Sequence, residues 1–379
     1  MPALDACPGV LALHAARDGY VARIRLPGGY ASGPRWHALV SLAVSLGDGR
    51  LDLTARGNVQ LRGIRGEDGE ELARRAAAGG LLPSAAHDRA RNIMASPLAG
   101  LGGRPLLRQL VRRLDAVLLS DPSLAALPGR FLFSVDDGTG GSGLAACDVG
   151  LRRAGAGVEV IVAGRHAGVR VPSAAAVPAA VAAARAAIAR GVGTSVTRVT
   201  ALADGGESVA AAVGGALGAA AASPDTRLSL GLAPTGAGAA MVAGAPLGRL
   251  SAAQAGLIAD LLRPREIVRM GIAGRLVIPL AGPAAVAQAR LADAGLLTSP
   301  GDALAGVTAC SGAACSRSVA DVRAVAGPVP GHARTHWAGC ARQCGCPPDA
   351  EAVIAVGDDR FLRPGHDEPE RLQTLIGVS

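Results

Sequence analysis

Two stretches of this 379-residue chain run through the same pattern. PGGYASGPRWHALVSLAV begins at Pro27, and PLGRLSAAQAGLIADLL begins at Pro246. Each passes from a proline–glycine turn through a serine into an apolar helix pattern, with Ser32 and Ser251 where helix N-caps belong. In the first copy Trp36, Leu39, Val40 and Leu46 recur at helical spacing, and Gly47 is a stop signal. YVARIRL before it alternates as a strand does, and RLDLT and NVQLRGI after it predict two more. The second copy is bracketed likewise by AMVAGAPLGRL, REIVRM and GRLVIPL. A repeat of this kind demands two copies of one small α+β unit, separated by whatever the remaining chain builds.

Between the copies lie a helical pattern, LLRQLVRRLDAVLL, a loop, DDGTGGSG, and alanine-rich helices. AAAVGGALGAAAASPD is low in complexity and reads partly as linker. Beyond Leu297 comes a cysteine-bearing segment that closes on a predicted strand, AEAVIAV. The expected division is therefore residues 1–70, 75–215, 225–297 and 298–379.

Composition excludes several functions. All 38 basic residues are arginine, so no lysine Schiff base forms. The net charge of +8 comes without clustered basic and aromatic residues, which argues against a nucleic-acid partner. The opening residues MPALDACPGV lack a basic leader pattern. The uncharged run from Leu228 to Gly248 holds two prolines and several glycines, unsuited to a membrane helix. The expectation is a cytoplasmic protein whose cysteines are thiols or metal ligands.

Four cysteines form two pairs: TACSGAACSRS holds Cys310 and Cys315 (C-x4-C), and GCARQC holds Cys340 and Cys344 (C-x3-C), 24 residues on. Structural zinc favours C-x2-C knuckles. Four thiolates from two short loops suit a cubane cluster, one sulfur per iron, so a cluster is favoured over zinc or over unrelated core cysteines. SVADVRAVA reads as a helix, which would set Cys315 at its N-terminus, where the dipole favours a thiolate. Cys7 and Cys147 read as small buried residues, and Cys346 as a bystander. In RGNVQLR an extended chain puts Arg56, Asn58, Gln60 and Arg62 on one side. Periodicity alone makes that side the solvated face of an antiparallel sheet.

LDLTARGNVQLRGI, ARNIMASPL, LPGRFLF and the two cysteine pairs, in this order, resemble the nitrite/sulfite reductase superfamily over nearly the whole chain. CPG near the start, IRLPGG, ASPLAG, LPGRFLFSVDDG, SVADVRA and HWAGCARQCG look most like its precorrin-3B synthase branch. The resemblance implies an α+β fold in which two ferredoxin-like half-domains each pair with a larger α/β domain about a pseudo-twofold. It implies a [4Fe–4S] cluster on Cys310, Cys315, Cys340 and Cys344, although the superfamily usually has C-x5-C in the first pair. It places Arg56 and Arg91 in a site for tetrapyrrole and oxyanion, with Asn58, Gln60, Arg62, Asn92 and Arg130 beside them. Siroheme reductases carry two lysines in a string resembling LPRKFK; here Arg130 and Leu132 stand at those positions, which favours an anchored polycarboxylate over a reduced oxyanion.

The implied reaction is hydroxylation of precorrin-3A at C-20 with O2, closing a γ-lactone, with electrons ultimately from NADH. A separate electron-donor protein is expected, because GLGG (100–103) and GVGTSV (191–196) lack the strand–GxGxxG–helix context. A mononuclear non-haem iron is also implied, and the one H-x-D/E match, His366-x-Glu368, reads as solvated tail. The alternatives are a siroheme-dependent sulfite or nitrite reductase, and a non-catalytic tetrapyrrole-binding or zinc-stapled protein.

Overall fold

The computed structural model describes residues 5–101, 106–221, 228–235, 238–263, 265–347, 349–363 and 365–377. The start of the leader reading, part of the alanine-rich linker and the last two glycines of GLGG lie outside them. The first unit comprises β1 (His14–Ala16), β2 (Gly19–Ile24), β3 (Tyr30–Ser32), α1 (Gly33–Leu46), β4 (Arg50–Leu53), β5 (Val59–Ile64) and α2 (Gly69–Ala78). A larger unit follows: β6 (Ile93–Ala95), α3 (Leu106–Ser120), β7 (Phe133–Asp136), β8 (Val149–Ala154), β9 (Gly157–Val162), β10 (Arg165–Pro172), α4 (Ala176–Ala189) and α5 (Glu207–Ala211). The third repeats the first: β11 (Gly231–Thr235), β12 (Gly238–Gly244), β13 (Arg249–Ser251), α6 (Ala252–Leu261), β14 (Ile267–Met270), β15 (Arg275–Pro279) and α7 (Ala284–Asp293). The last holds β16 (Val307–Ala309), α8 (Val322–Val325), β17 (Thr335–Ala338), β18 (Glu351–Ala355), β19 (Arg360–Leu362), β20 (Glu370–Arg371) and α9 (Leu372–Ile376).

The two small units exchange a strand. Their sheets run β1-β2-β5-β4-β13 and β11-β12-β15-β14-β3, so each copy lends the short strand before its helix to the other. Arg249 lies opposite Asp52 and forms an ion pair with it, and Val268 lies opposite Ala31. The exchange brings α1 and α6 together over one core, in which Trp36, Leu39 and Leu42 share a cluster with Met241, Ile258 and Leu276. The Trp36 indole N–H donates to the Ala255 carbonyl at 2.8 Å, satisfying its polar handle across that join. Ser251 makes a full capping box with Gln254, whereas Ser32 holds the N-cap position without a side-chain bond.

The larger units are a second repeat, invisible as sequence similarity. Both sheets, β6 to β10 and β16 to β20, keep chain order, parallel across the first three strands and antiparallel thereafter. The two-fold α+β architecture expected above is thus the observed one.

Two local expectations fail. SVADVRAVA is not one helix after Cys315: bends and turns lead to α8, only four residues long, Val322–Val325. Asp321 caps that stub, and no helix dipole reaches Cys315. Nor is the RGNVQLR segment one extended strand. Thr54 Oγ1 accepts from the N–H groups of Arg56 (3.3 Å) and Asn58 (3.0 Å), folding a turn with left-handed Gly57 before β5 begins. Among the described residues no helix is long and apolar enough to cross a membrane.

Candidate functional site

Parallel pairing delivers the cysteines. Ala309 lies opposite Trp337 where β16 and β17 run side by side, so Cys310 and, after Gly339, Cys340 leave the same ends of neighbouring strands. The Cys310 N–H donates to the Trp337 carbonyl at 2.9 Å. Its Sγ accepts N–H bonds from Gly339 (3.2 Å) and Gly312 (3.5 Å). A Cβ on Gly339 would stand 1.7 Å from Ser318 Oγ, so only glycine lets the two cysteine segments approach. Burial pushes the Cys344 thiol up; Arg342 opposes this, while Cys340, Cys310 and Cys315 push it further.

Cys346 faces elsewhere. Its Sγ bonds the carbonyls of Pro347 and Ala350 at 3.5 Å, and burial followed by Asp349 pushes its thiol up. His336 is a strand residue, 1 % exposed, with Nδ1 against Thr308 Oγ1 at 2.9 Å and burial pushing it down to about 4. Four thiols on two short loops, with two N–H groups donating to Cys310 Sγ, have the chemistry of donors that could hold an iron–sulfur cluster. Among the described residues no three His, Cys, Asp or Glu groups are arranged to hold a single metal ion. His366 bonds Arg363 and Glu370, so the H-x-E pair is part of a surface ion cluster.

Next to the strand that reaches the first cysteine loop lies a cluster of arginines, Arg23, Arg25 and Arg56, which we call the arginine cleft. Arg23 lies opposite Gln60 across β2 and β5, and its Nη2 donates to Gln60 Oε1 at 2.6 Å. Arg25, 2 % exposed, reaches Asn92 Oδ1 (3.4 Å) and the Gly129 carbonyl (3.1 Å). Arg56 donates to the Arg130 carbonyl at 3.1 Å. None of the three forms an ion pair with a described carboxylate, and the Nε atoms of Arg23 and Arg25 are buried without a partner. Burial first, then Arg23, pushes the Arg25 guanidinium down to about 9; burial and then Arg198 push Arg56 down to about 10. Such crowded, desolvated cations lower their free energy by accepting an anion. Gln60, which accepts from Arg23, lies on β5 two residues before Arg62, which reaches Ser311 and Ala314 of the first cysteine loop, so the arginines adjoin that loop.

The structure sorts the expected residues by what they touch. Asn58 and Asn92 bond each other at 3.0 Å and fasten the Leu26 N–H and the Phe131 carbonyl, so they are the cleft's floor. Arg91 is buried and forked onto Asp115 at 2.7 and 2.9 Å. Arg62 is forked onto Asp18 and turned toward the first cysteine loop. Arg130 is exposed at the rim. Leu132 is 2 % exposed in an apolar cluster with Met94, Leu144, Cys147 and Ile161. Sequence reasoning missed Arg23 and Arg25; of the two cysteines expected to be buried, Cys147 is and Cys7 is only part-buried. The alternation of YVARIRL already puts both arginines on one side of an extended chain running through β2, a signal outweighed by the richer RGNVQLR string.

Comparisons with known proteins agree with this geometry. Residues 14–79 match the nitrite/sulfite reductase ferredoxin-like half domain. A ferredoxin–nitrite reductase of Leptolyngbya laminosa is 33% identical over 135 residues, covering 34% of this chain and 26% of that protein. One from Synechococcus elongatus is 33% identical over 127 residues, 31% of this chain and 25% of that protein. The match thus spans about a quarter of each relative. The structure of the Mycobacterium tuberculosis NirA protein superposes with a TM-score of 0.72 at 20% identity, covering 92% of this chain and 72% of that one. Residues 14–79 therefore form a segment that matches a nitrite/sulfite reductase ferredoxin-like half domain, set within a two-repeat α+β fold like that of the NirA protein.

Proposed function

We propose that the chain is a tetrapyrrole-handling oxidoreductase, with a [4Fe–4S] cluster on Cys310, Cys315, Cys340 and Cys344 beside an arginine cleft for the macrocycle's carboxylates. The observation that carries this reading is that one strand serves both halves: on β5, Gln60 accepts from Arg23, and Arg62 two residues on reaches Ser311 Oγ and the Ala314 carbonyl between Cys310 and Cys315. Bound there, a cluster and a siroheme would supply electrons to a small oxyanion, and the matched relatives named as nitrite reductases support that form of the reading. The chain's own part is positional and electrostatic. Arg23, Arg25 and Arg56 present positive charge with no ion pair to a described carboxylate, Asn58 and Asn92 lock that floor, and Arg130 is exposed beside them.

One observation favours a second reading, in which the tetrapyrrole is the substrate. Leu132 stands where siroheme reductases carry a lysine, and it is sealed in apolar packing. A cleft with one fewer cation at the oxyanion suits anchoring a polycarboxylate such as precorrin-3A, hydroxylated with O2 and electrons from NADH through a donor protein. The test is anaerobic purification with iron, sulfide and zinc analysis, an absorption spectrum, and assays with nitrite, sulfite and precorrin-3A. About four irons with a siroheme band and oxyanion reduction support the first reading. The same irons without haem, and O2-dependent turnover of precorrin-3A, support the second. Zinc or no metal refutes both.

A further inference from the structure

The first cysteine loop, one residue shorter than the superfamily's usual spacing, is held from outside its own domain. Within the loop Gly312 adopts φ +61°, and a Cβ there would meet Asp321 Oδ1 at 2.8 Å, so the turn has no slack. From β5 of the first half-domain, Arg62 crosses to it. Its Nη1 donates to Ser311 Oγ at 3.3 Å and its Nη2 to the Ala314 carbonyl at 3.1 Å. Asp18, in the β1–β2 turn, fixes the guanidinium through bonds of 2.8 and 2.9 Å. The same turn adds the Arg17 N–H to the Ala314 carbonyl (3.2 Å) and Arg17 Nη2 to the Ser316 carbonyl (3.3 Å). On the other side Arg323 Nη1 joins the Cys310 carbonyl (3.2 Å) to that of Leu247 (3.1 Å), in the second half-domain. Leu247 holds φ 52°, a left-handed conformation unusual for leucine, at the position of Gly28 in the first copy.

We infer that Arg62 is a positioning residue for the iron–sulfur site rather than an anion-binding residue of the cleft. With Asp18 and Arg17 it docks the first half-domain onto the 310–316 loop and holds Cys310 and Cys315 for a cluster despite the short spacing. Four hydrogen bonds from its guanidinium go to Asp18, Ser311 and Ala314, and its side chain is only 5 % exposed. A chain with a free loop would order it on cluster binding; this one orders it beforehand, which favours retention of the cluster. The inference rests on the cluster reading above.

The test uses the full chain reconstituted anaerobically with iron and sulfide. Arg62→Ala is expected to retain less iron and sulfide than wild type and to lose its cluster to air about tenfold faster, the scale of outer-shell metal mutants. Arg62→Lys should restore part of the difference. Uroporphyrin, a metal-free polycarboxylated tetrapyrrole, should bind wild type and Arg62→Ala equally. Should Arg62→Ala fail to fold, Asp18→Asn loosens the same guanidinium at a half-exposed turn, and faster cluster loss is again expected. Wild-type retention in Arg62→Ala with weakened uroporphyrin binding would overturn the inference and return Arg62 to the cleft. A wild-type protein that takes up no cluster would overturn both the inference and the reading beneath it.

Discussion

Arg25→Met is the sharpest perturbation of the cleft, because it removes a charge the folded, ligand-free protein holds at a cost. The guanidinium is 2 % exposed and has no carboxylate partner among the described residues. Burial, then Arg23, lowers it to about 9. Against an ordinary guanidinium value of about 12.5, at about 1.4 kcal/mol per pKa unit, the cost of carrying that charge is at most about 5 kcal/mol. Methionine keeps the stem's apolar volume but leaves the Gly129 carbonyl and one bond to Asn92 unmade, a loss of about 1–3 kcal/mol. The net expectation is a variant more stable than wild type by about 2 kcal/mol, seen as a rise of a few degrees in the unfolding temperature. The sign follows from linkage. The unfolded chain keeps a proton that the folded chain sheds between about pH 9 and 12.5, so the cost is fully present below pH 9 and is relieved above it. The variant's advantage is therefore constant from pH 6 to 8 and shrinks above 9. A polyanion such as uroporphyrin should stabilise wild type and narrow the gap, with little effect on the variant. Destabilisation by 3 kcal/mol or more, the signature of a broken buried ion pair, would refute the reasoning.

Cys310→Ser should abolish iron and sulfide retention, whereas Cys346→Ser should leave both at wild-type values, since its thiol bonds only its own loop; equal losses in the two would make Cys346 a ligand. Trp36→Ala empties the join between the two half-domains and should cost about 3–5 kcal/mol, measured by denaturant unfolding. A loss below 1 kcal/mol would mean the halves are not held by that core.

Much of the site was readable because it is written in local strings. Cys310, Cys315, Cys340 and Cys344 stand in short runs whose spacing favours a cluster over zinc, and Ser251 with Gln254 spells a capping box three residues long. The helix expected after Cys315 was not readable: SVADVRAVA has adequate propensity, but docking beneath the second cysteine segment bends it, with the Val319 N–H bound to the Gly339 carbonyl. Helical propensity is worth tenths of a kcal/mol per residue and yields to such contacts.

The sequence by itself determined the two-copy plan, the strands and helices of each copy, the pairing of four cysteines into two short loops and the absence of any lysine chemistry, because periodicity and spacing act over a few residues. Tertiary structure alone decided which copy lends which strand, that the larger units repeat as well, and that the arginines divide into two tasks. Arg23, Arg25 and Arg56 gather unpaired in the cleft, while Arg62 and Arg91 are tied to Asp18 and Asp115. A strand's alternation says which residues share a face. What that face meets depends on groups 24 to 252 positions away, and on where their carboxylates and carbonyls fall.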